Sequence, residues 1–309
     1  MNFLKLLECL RTPFWDNFFL AITGLGGETL SLVAVLCILW CFNKKTGYYL
    51  VFTIAIGLGL NRIVNALCMV ERPWMIDRTF SAVDGALEEA TGYSFPSGHT
   101  QSAVSLYGGI AVCTKGVLAK IFAIAIIVLV GFSRMYLGVH TPKDVFAAII
   151  IGIIVNFAVY YLYKKAEGKK SARIILSIIT IIVSGAFLLT TLVSNGANQT
   201  LDFETAKMGY SIFGGTLGLV AGWFLDLKYI NYETKGTLTV QLFKCVVGVM
   251  IILGVKSILK APLNLLFGGH LFSHAVRYFI TALAGGVFWP ATFKFWNKIL
   301  VKNHSATTV

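Results

Sequence analysis

Apolar runs with few charges, many near the length needed to cross a bilayer, recur along this chain and are separated by short polar clusters. Nine such runs predict transmembrane helices. They centre on Thr29–Phe42, Tyr48–Met69, His99–Cys113, Val117–Phe132, Val145–Tyr163, Ile174–Val193, Ala206–Leu225, Leu238–Val255 and Leu271–Phe293. Ahead of them, Asn2 to Ile22 mixes apolar residues with Lys5, Glu8, Arg11 and Asp16 and is broken by Pro13. That pattern predicts an amphipathic piece lying in the membrane interface. The longest polar stretch, Glu71 to Ser97, is too short for a soluble domain. The pattern therefore predicts an all-α, polytopic transmembrane helical bundle. It divides into an interfacial segment (1–26), a membrane core (27–165) and further helices that complete the bundle (166–309).

Composition agrees with the pattern. Of 309 residues, 57% are hydrophobic and 13% charged, and the mean hydropathy is +0.77. Lysines and arginines outnumber carboxylates 26 to 14, a formal net charge of +12. In a soluble protein that excess would suggest nucleic acid; here the basic residues instead fall in alternate loops and set topology. Lys44 and Lys45, Lys115 and Lys120, the cluster from Lys164 to Arg173, Lys228 and Lys235, and Lys298 and Lys302 form one set. This bias predicts that the set faces the cytoplasm together with the C-terminus, while the N-terminus lies outside. No nucleic-acid partner is expected. The six cysteines show no paired metal-ligand spacing, so neither a disulfide framework nor a zinc site is expected. No signal peptide is expected at the N-terminus, and nothing in the sequence speaks to oligomeric state. Asn198-Gln199-Thr200 matches a glycosylation triplet in an expected outer loop.

Three polar segments fall at one expected membrane face. They are Glu71-Arg72-Pro73-Trp74, Tyr93-Ser94-Phe95-Pro96-Ser97-Gly98-His99, and the stretch from Ser133-Arg134 through His140-Thr141-Pro142-Lys143-Asp144. Arg72 and Arg134 are permanent cations whose planar donor forks suit phosphate oxygens. Pro96-Ser97-Gly98 precedes a helix start, where free N–H groups and the dipole favour an anion. His99 and His140 offer a nucleophile and a proton donor near neutral pH. Asp144, four residues beyond His140, is placed to fix its tautomer. Thr141-Pro142 reads as an N-cap followed by proline at the first helical position. No carboxylate cluster suggests a metal, and no cofactor is expected.

These segments resemble the signature of the type 2 phosphatidic acid phosphatase superfamily. Its pattern runs Lys-x6-Arg-Pro, then Pro-Ser-Gly-His, then Ser-Arg-x5-His-x3-Asp, and the second and third elements match at every fixed position. The resemblance implies a six-helix phosphatase core followed here by three C-terminal helices. It implies that His140 attacks phosphorus, Asp144 orients it, and His99 protonates the leaving oxygen and then activates water. Arg72, Arg134, Ser97 and Gly98 would bind the phosphate oxygens. In the first element the family's lysine would fall at position 65, where this chain has Asn65; Arg62, three residues earlier, is the candidate substitute, with Lys143 a further one. The nine-span layout is loosely similar to glucose-6-phosphatase and the sphingoid-base phosphate phosphatases. The implied activity is a metal-independent integral membrane phosphatase acting on a lipid phosphomonoester or diphosphate, with its site on the non-cytoplasmic side. The alternatives are a sugar-phosphate phosphatase, a lipid phosphotransferase, and a weakly active lipid-binding or transport relative.

Other polar residues have plainer readings. Arg277, Lys207, Lys256 and Lys260 lie in or near outer helix ends, where long cations snorkel. His270 and His274 lack a third metal ligand nearby. Asp77, Asp84, Glu88 and Glu89 make an acidic outer loop that reads as a solvated lid. Gly214 and Gly218 permit close helix packing within the bundle.

Overall fold

The structure is a computed structural model that describes residues 1–197 and 203–306; the triplet Asn198-Gln199-Thr200 lies outside the described residues. It is all-helical, with no strand among those residues. Two short helices, α1 (Asn2–Cys9) and α2 (Pro13–Gly24), precede α3 (Glu28–Cys37), which continues through a π-helical turn to Phe42. The long α4 (Lys44–Cys68) follows. A loop holding single helical turns at Pro73–Ile76 and Asp84–Leu87 leads to α5 (Gly98–Ala103), which runs on through a second π turn to Cys113. Then come α6 (Val117–Tyr136), α7 (Pro142–Gly168), α8 (Lys170–Ala197), α9 (Phe203–Leu225), α10 (Leu238–Ile258), α11 (Lys260–Leu266), α12 (Phe272–Leu283) and α13 (Phe293–Ala306).

Each of the nine expected spans coincides with a helix. Six helical stretches are long and apolar enough to cross a membrane by themselves, or seven if α2 and α3, bent by 46° at their junction, form one span. The remaining two expected spans, at Gly98–Cys113 and from Phe272 onward, are interrupted by π turns at Val104–Gly108 and Ala284–Phe288. The first interruption has an evident cause. Asn156 of α7 donates to Val104 O at 2.9 Å, and its own oxygen accepts from Tyr49 of α4 at 3.0 Å. An inserted side chain of this kind relieves the regular ladder and lets a π turn persist.

Helix α4 is the axis of the N-terminal half, packed against α5, α7 and α8. Toward its Lys44 end an aromatic core of Trp40, Tyr49, Phe52, Tyr163, Trp223 and Trp289 joins that half to the C-terminal helices. There Lys44 meets the fully buried Asp226 at 2.8 Å and Tyr48 donates to the same carboxylate at 3.0 Å. Among the C-terminal helices, α9 and α12 press together as the glycine spacing predicts. A Cβ on Gly214 would strike the Ala275 carbonyl, and one on Gly218 would lie 2.6 Å from Phe279 O. At the opposite end of α4, α2 lies against the end of α6, with Phe19 packed at a tilt on Phe132 and Tyr136 at 5.5 and 4.3 Å between ring centroids.

Candidate active site

The three polar segments meet at the Asn65 end of α4. They line one cavity of about 230 Å³, whose walls include Arg62, Asn65, Arg72, Gly98, His99, Arg134 and His140. Helix starts and ends position them. Thr12 caps α2 and Ser97 caps α5, each accepting a backbone N–H of the first turn. Thr141 caps α7 with Pro142 at the first helical position, as the sequence predicts. His140 sits in the turn just before that cap, and its N–H reaches back to Arg134 O at 3.3 Å.

Asp144 Oδ2 is the hub beneath His140. It accepts from Thr141 N at 2.7 Å and from Ser94 Oγ at 2.6 Å, and lies 3.6 Å from His140 Nδ1. Ser94 Oγ stands 3.5 Å from the same Nδ1, so the hydroxyl closes a gap too long for a direct hydrogen bond. On the other side of the ring, Arg72 Nη1 donates toward Nε2 at 3.1 Å. A guanidinium has no acceptor, so Nε2 presents its lone pair and the ring proton sits on Nδ1. His140 is 2% exposed. Burial first, then the positive charges of Arg72 and Arg134, push its imidazole well below the ordinary histidine range, with Asp144 opposing. The ring is held neutral, the form a nucleophile requires.

Arg72 is fixed rather than free. Its remaining donors go to Thr91 O, Gly92 O and Val139 O at 2.8, 3.1 and 3.0 Å. Arg134 is 1% exposed and donates to Thr23 of α2 at 2.9 Å, while its Nε finds no partner. His99 Nε2 lies 2.7 Å from Glu89 Oε2; a carboxylate only accepts, so Nε2 carries the proton. Glu89 is therefore more than part of a solvated lid. Gly26, at the α2–α3 junction, packs so closely that a Cβ there would sit 2.7 Å from His99 O.

The departure at position 65 takes a definite form. Asn65 donates to Tyr93 O and Phe95 O at 2.9 and 3.0 Å and so tethers the strand of loop that leads into Pro96-Ser97-Gly98. Arg62, one turn earlier, lines the cavity, with Nη2 3.9 Å from where a Gly98 Cβ would stand and 2.9 Å from Glu28 Oε1. Lys143 is exposed and is not among the cavity-lining residues. Ser97 lies fully buried with its oxygen 2.9 Å from Thr100 Oγ1; its side chain serves as a cap and its residue is not in the cavity wall. The sequence alone assigns Ser94 no role and does not mark out Glu28, Thr23 or Met208, which reaches the cavity from α9. Ser94, a small polar residue between Tyr93 and Phe95 just before the motif, was the one signal available. Among the described residues no group of His, Cys, Asp and Glu forms a metal site.

A membrane-embedded site that holds a neutral histidine between a carboxylate and guanidinium groups defines a class of phosphoryl-handling membrane proteins. The chain belongs to the PAP2 superfamily: that family model matches residues 46–167, and a second, described as the PAP2 superfamily phosphatase transmembrane extension, matches residues 210–298. It is 30% identical to phosphatidylglycerophosphatase B of Bacillus subtilis over 50% of this chain and 78% of that protein. It is 32% identical to an undecaprenyl-diphosphatase of Sulfolobus acidocaldarius, over 50% of this chain and 73% of that protein. A probable sphingosine-1-phosphate phosphatase of Dictyostelium discoideum is 28% identical over 50% of this chain and 40% of its own length. No solved structure matches the chain. It is an integral membrane protein.

Proposed function

We propose that this protein is a lipid phosphate phosphatase that works through a phospho-histidine at His140, on the non-cytoplasmic face of the membrane. The observation that carries the reading is the poise of His140. Its Nε2 lone pair accepts from Arg72 Nη1 at the wall of a cavity that Arg134 also lines, so an incoming phosphate that takes over the guanidinium meets that nitrogen, with Asp144 and Ser94 behind its Nδ1. In the first step Nε2 attacks phosphorus and the bond to the alcohol oxygen breaks. His99, protonated on both ring nitrogens beside the Glu89 carboxylate, passes its Nε2 proton to that oxygen and becomes neutral. In the second step water attacks the phospho-histidine, His99 takes the water's proton, and the P–N bond breaks to release inorganic phosphate. Arg72, Arg134, Arg62 and the Gly98 amide hold the phosphoryl oxygens as charge develops. Ser97 contributes by capping the helix that carries Gly98 and His99.

Relatives named for phosphatidylglycerophosphate, undecaprenyl diphosphate and sphingosine-1-phosphate support a lipid as the alcohol. So does the site's position at helix ends, where a headgroup enters while its chain stays among the helices. The excess of lysine and arginine in the opposite loops supports an outward-facing site. Purified protein assayed for phosphate release on lipid phosphates, lipid diphosphates and sugar phosphates tests the substrate class. Acid-labile, base-stable label from the lipid's phosphate should appear on the wild type and be absent from His140→Ala. Undiminished turnover in His140→Ala overturns the mechanism.

A further inference from the structure

Away from the catalytic cavity, on the C-terminal helices, Arg277 of α12 is 6% exposed. Its Nη2 meets His274 Nδ1 at 2.9 Å, a neutral acceptor, and its Nε has no partner. No ion pair joins it to a carboxylate among the described residues. Its charge lies 5.4 Å from the Tyr278 ring centre, and Lys256 Nζ lies 5.5 Å from the centre of the same ring. Lys207 and Lys260 are close enough for their charges to act on His274. Among the described residues, the carboxylate acting there is Glu204, and it is already paired with Lys207 at 2.6 Å. Four cations thus share one neighbourhood with one committed carboxylate among the described residues.

Snorkelling does not account for this arrangement. An arginine that snorkels holds its fork in the headgroup layer and in water, whereas Arg277 is enclosed where α9 and α12 pack with a Gly214–Ala275 backbone contact. A buried guanidinium without an anion is costly, and like charges around one ring add to that cost. An incoming oxyanion removes both penalties. We infer that Arg277, His274, Lys256 and Lys260 form a second anion site, separate from the catalytic cavity, that takes a phosphate-type oxyanion. The ligand's source is either an anionic lipid headgroup at the helix ends or a free phosphate ion. The site lies on α9's α12-facing side, while Met208 of the same helix faces the catalytic cavity.

The test uses the full chain in neutral detergent and follows its thermal unfolding midpoint. Phosphatidylglycerol, a phosphodiester lipid, is titrated into the micelles, with phosphatidylcholine and inorganic phosphate in parallel. Binding of either anion in the catalytic cavity is common to wild type and variants, so the difference between them reports the second site. Wild type should be stabilised by phosphatidylglycerol and unaffected by phosphatidylcholine. Arg277→Gln and the surface pair Lys256→Gln/Lys260→Gln should each need roughly tenfold more lipid for the same rise, with unchanged turnover in phosphatidylcholine micelles. A rise with inorganic phosphate that Arg277→Gln removes assigns the site to the free ion; a rise with the lipid alone assigns it to the headgroup. Superimposable phosphatidylglycerol curves for wild type and variants overturn the inference. Should Arg277→Gln not fold, the lysine pair, whose side chains are exposed, decides by the same criterion.

Discussion

Arg72 and Arg277 are buried to nearly the same degree, 7% and 6% exposed, yet their surroundings are opposite. Arg72 donates to three backbone carbonyls and to His140, so its fork is aimed before any ligand arrives. Arg277 has one imidazole partner and a spare donor. The N-terminal half uses backbone carbonyls to orient a cation; the C-terminal half leaves one under-satisfied. The lesson is that burial alone does not distinguish a reacting site from a holding site. The number and geometry of fixed donors does, since preorganised donors stabilise charge that develops during reaction.

The sharpest way to break this contrast is to remove a cation of the proposed active site. Arg134→Gln should lower kcat by about 10²–10³-fold with the helical circular dichroism spectrum intact. An equal loss from Arg277→Gln would erase the distinction between the two halves. Arg62→Gln should cost about 10²-fold in kcat/KM, the loss expected of a phosphate-binding cation in the cavity beside Gly98. Asn65→Lys should bring no gain in rate. It breaks the bonds to Tyr93 O and Phe95 O, and the loss should appear as about 1–3 kcal/mol in unfolding free energy. A large rise in turnover for Asn65→Lys would mean that Arg62 does not fill the role.

Smaller effects come from the groups behind the nucleophile. Ser94→Ala should lower the rate of phospho-enzyme formation roughly tenfold, since a hydroxyl worth about 1–1.5 kcal/mol links Asp144 to the ring. The pH dependence has a fixed sign. His140 is held below its ordinary value, so it stays neutral and nucleophilic as pH falls through about 6.5, the usual histidine midpoint. Single-turnover phosphorylation, corrected for the substrate's own ionisation near pH ~6, should therefore stay level across that midpoint. An acid limb centred at about 6.5 that vanishes when Ser94 or Asp144 is replaced would contradict the depressed value.

Much of this was legible from the chain. Apolar runs gave the helices, and the spacing from Arg134 to His140 to Asp144 placed the imidazole beside the carboxylate and the Thr141 cap. The partners of those residues were not legible, because they come from distant positions. Glu28 meets Arg62, Thr23 meets Arg134 and Glu89 meets His99 only once α2, α3 and the acidic loop are packed over the cavity. The role of Asn65 was hidden for a related reason. A side-chain amide bonded to backbone carbonyls leaves no trace in residue type, and the motif frame presents it only as a missing lysine. The π turn at Val104–Gly108, into which Asn156 donates, was not legible either, since hydropathy reads length but not continuity.

The buried pair between Lys44 and Asp226 has a consequence for the history of the chain. A version ending before α9 would leave Lys44 without its counter-charge and would bare the faces of Tyr48 and Phe52 that now lie against Trp223. Gain or loss of the C-terminal helices therefore cannot be a simple appending or trimming. It demands simultaneous resurfacing of α4 at the end farthest from the candidate site.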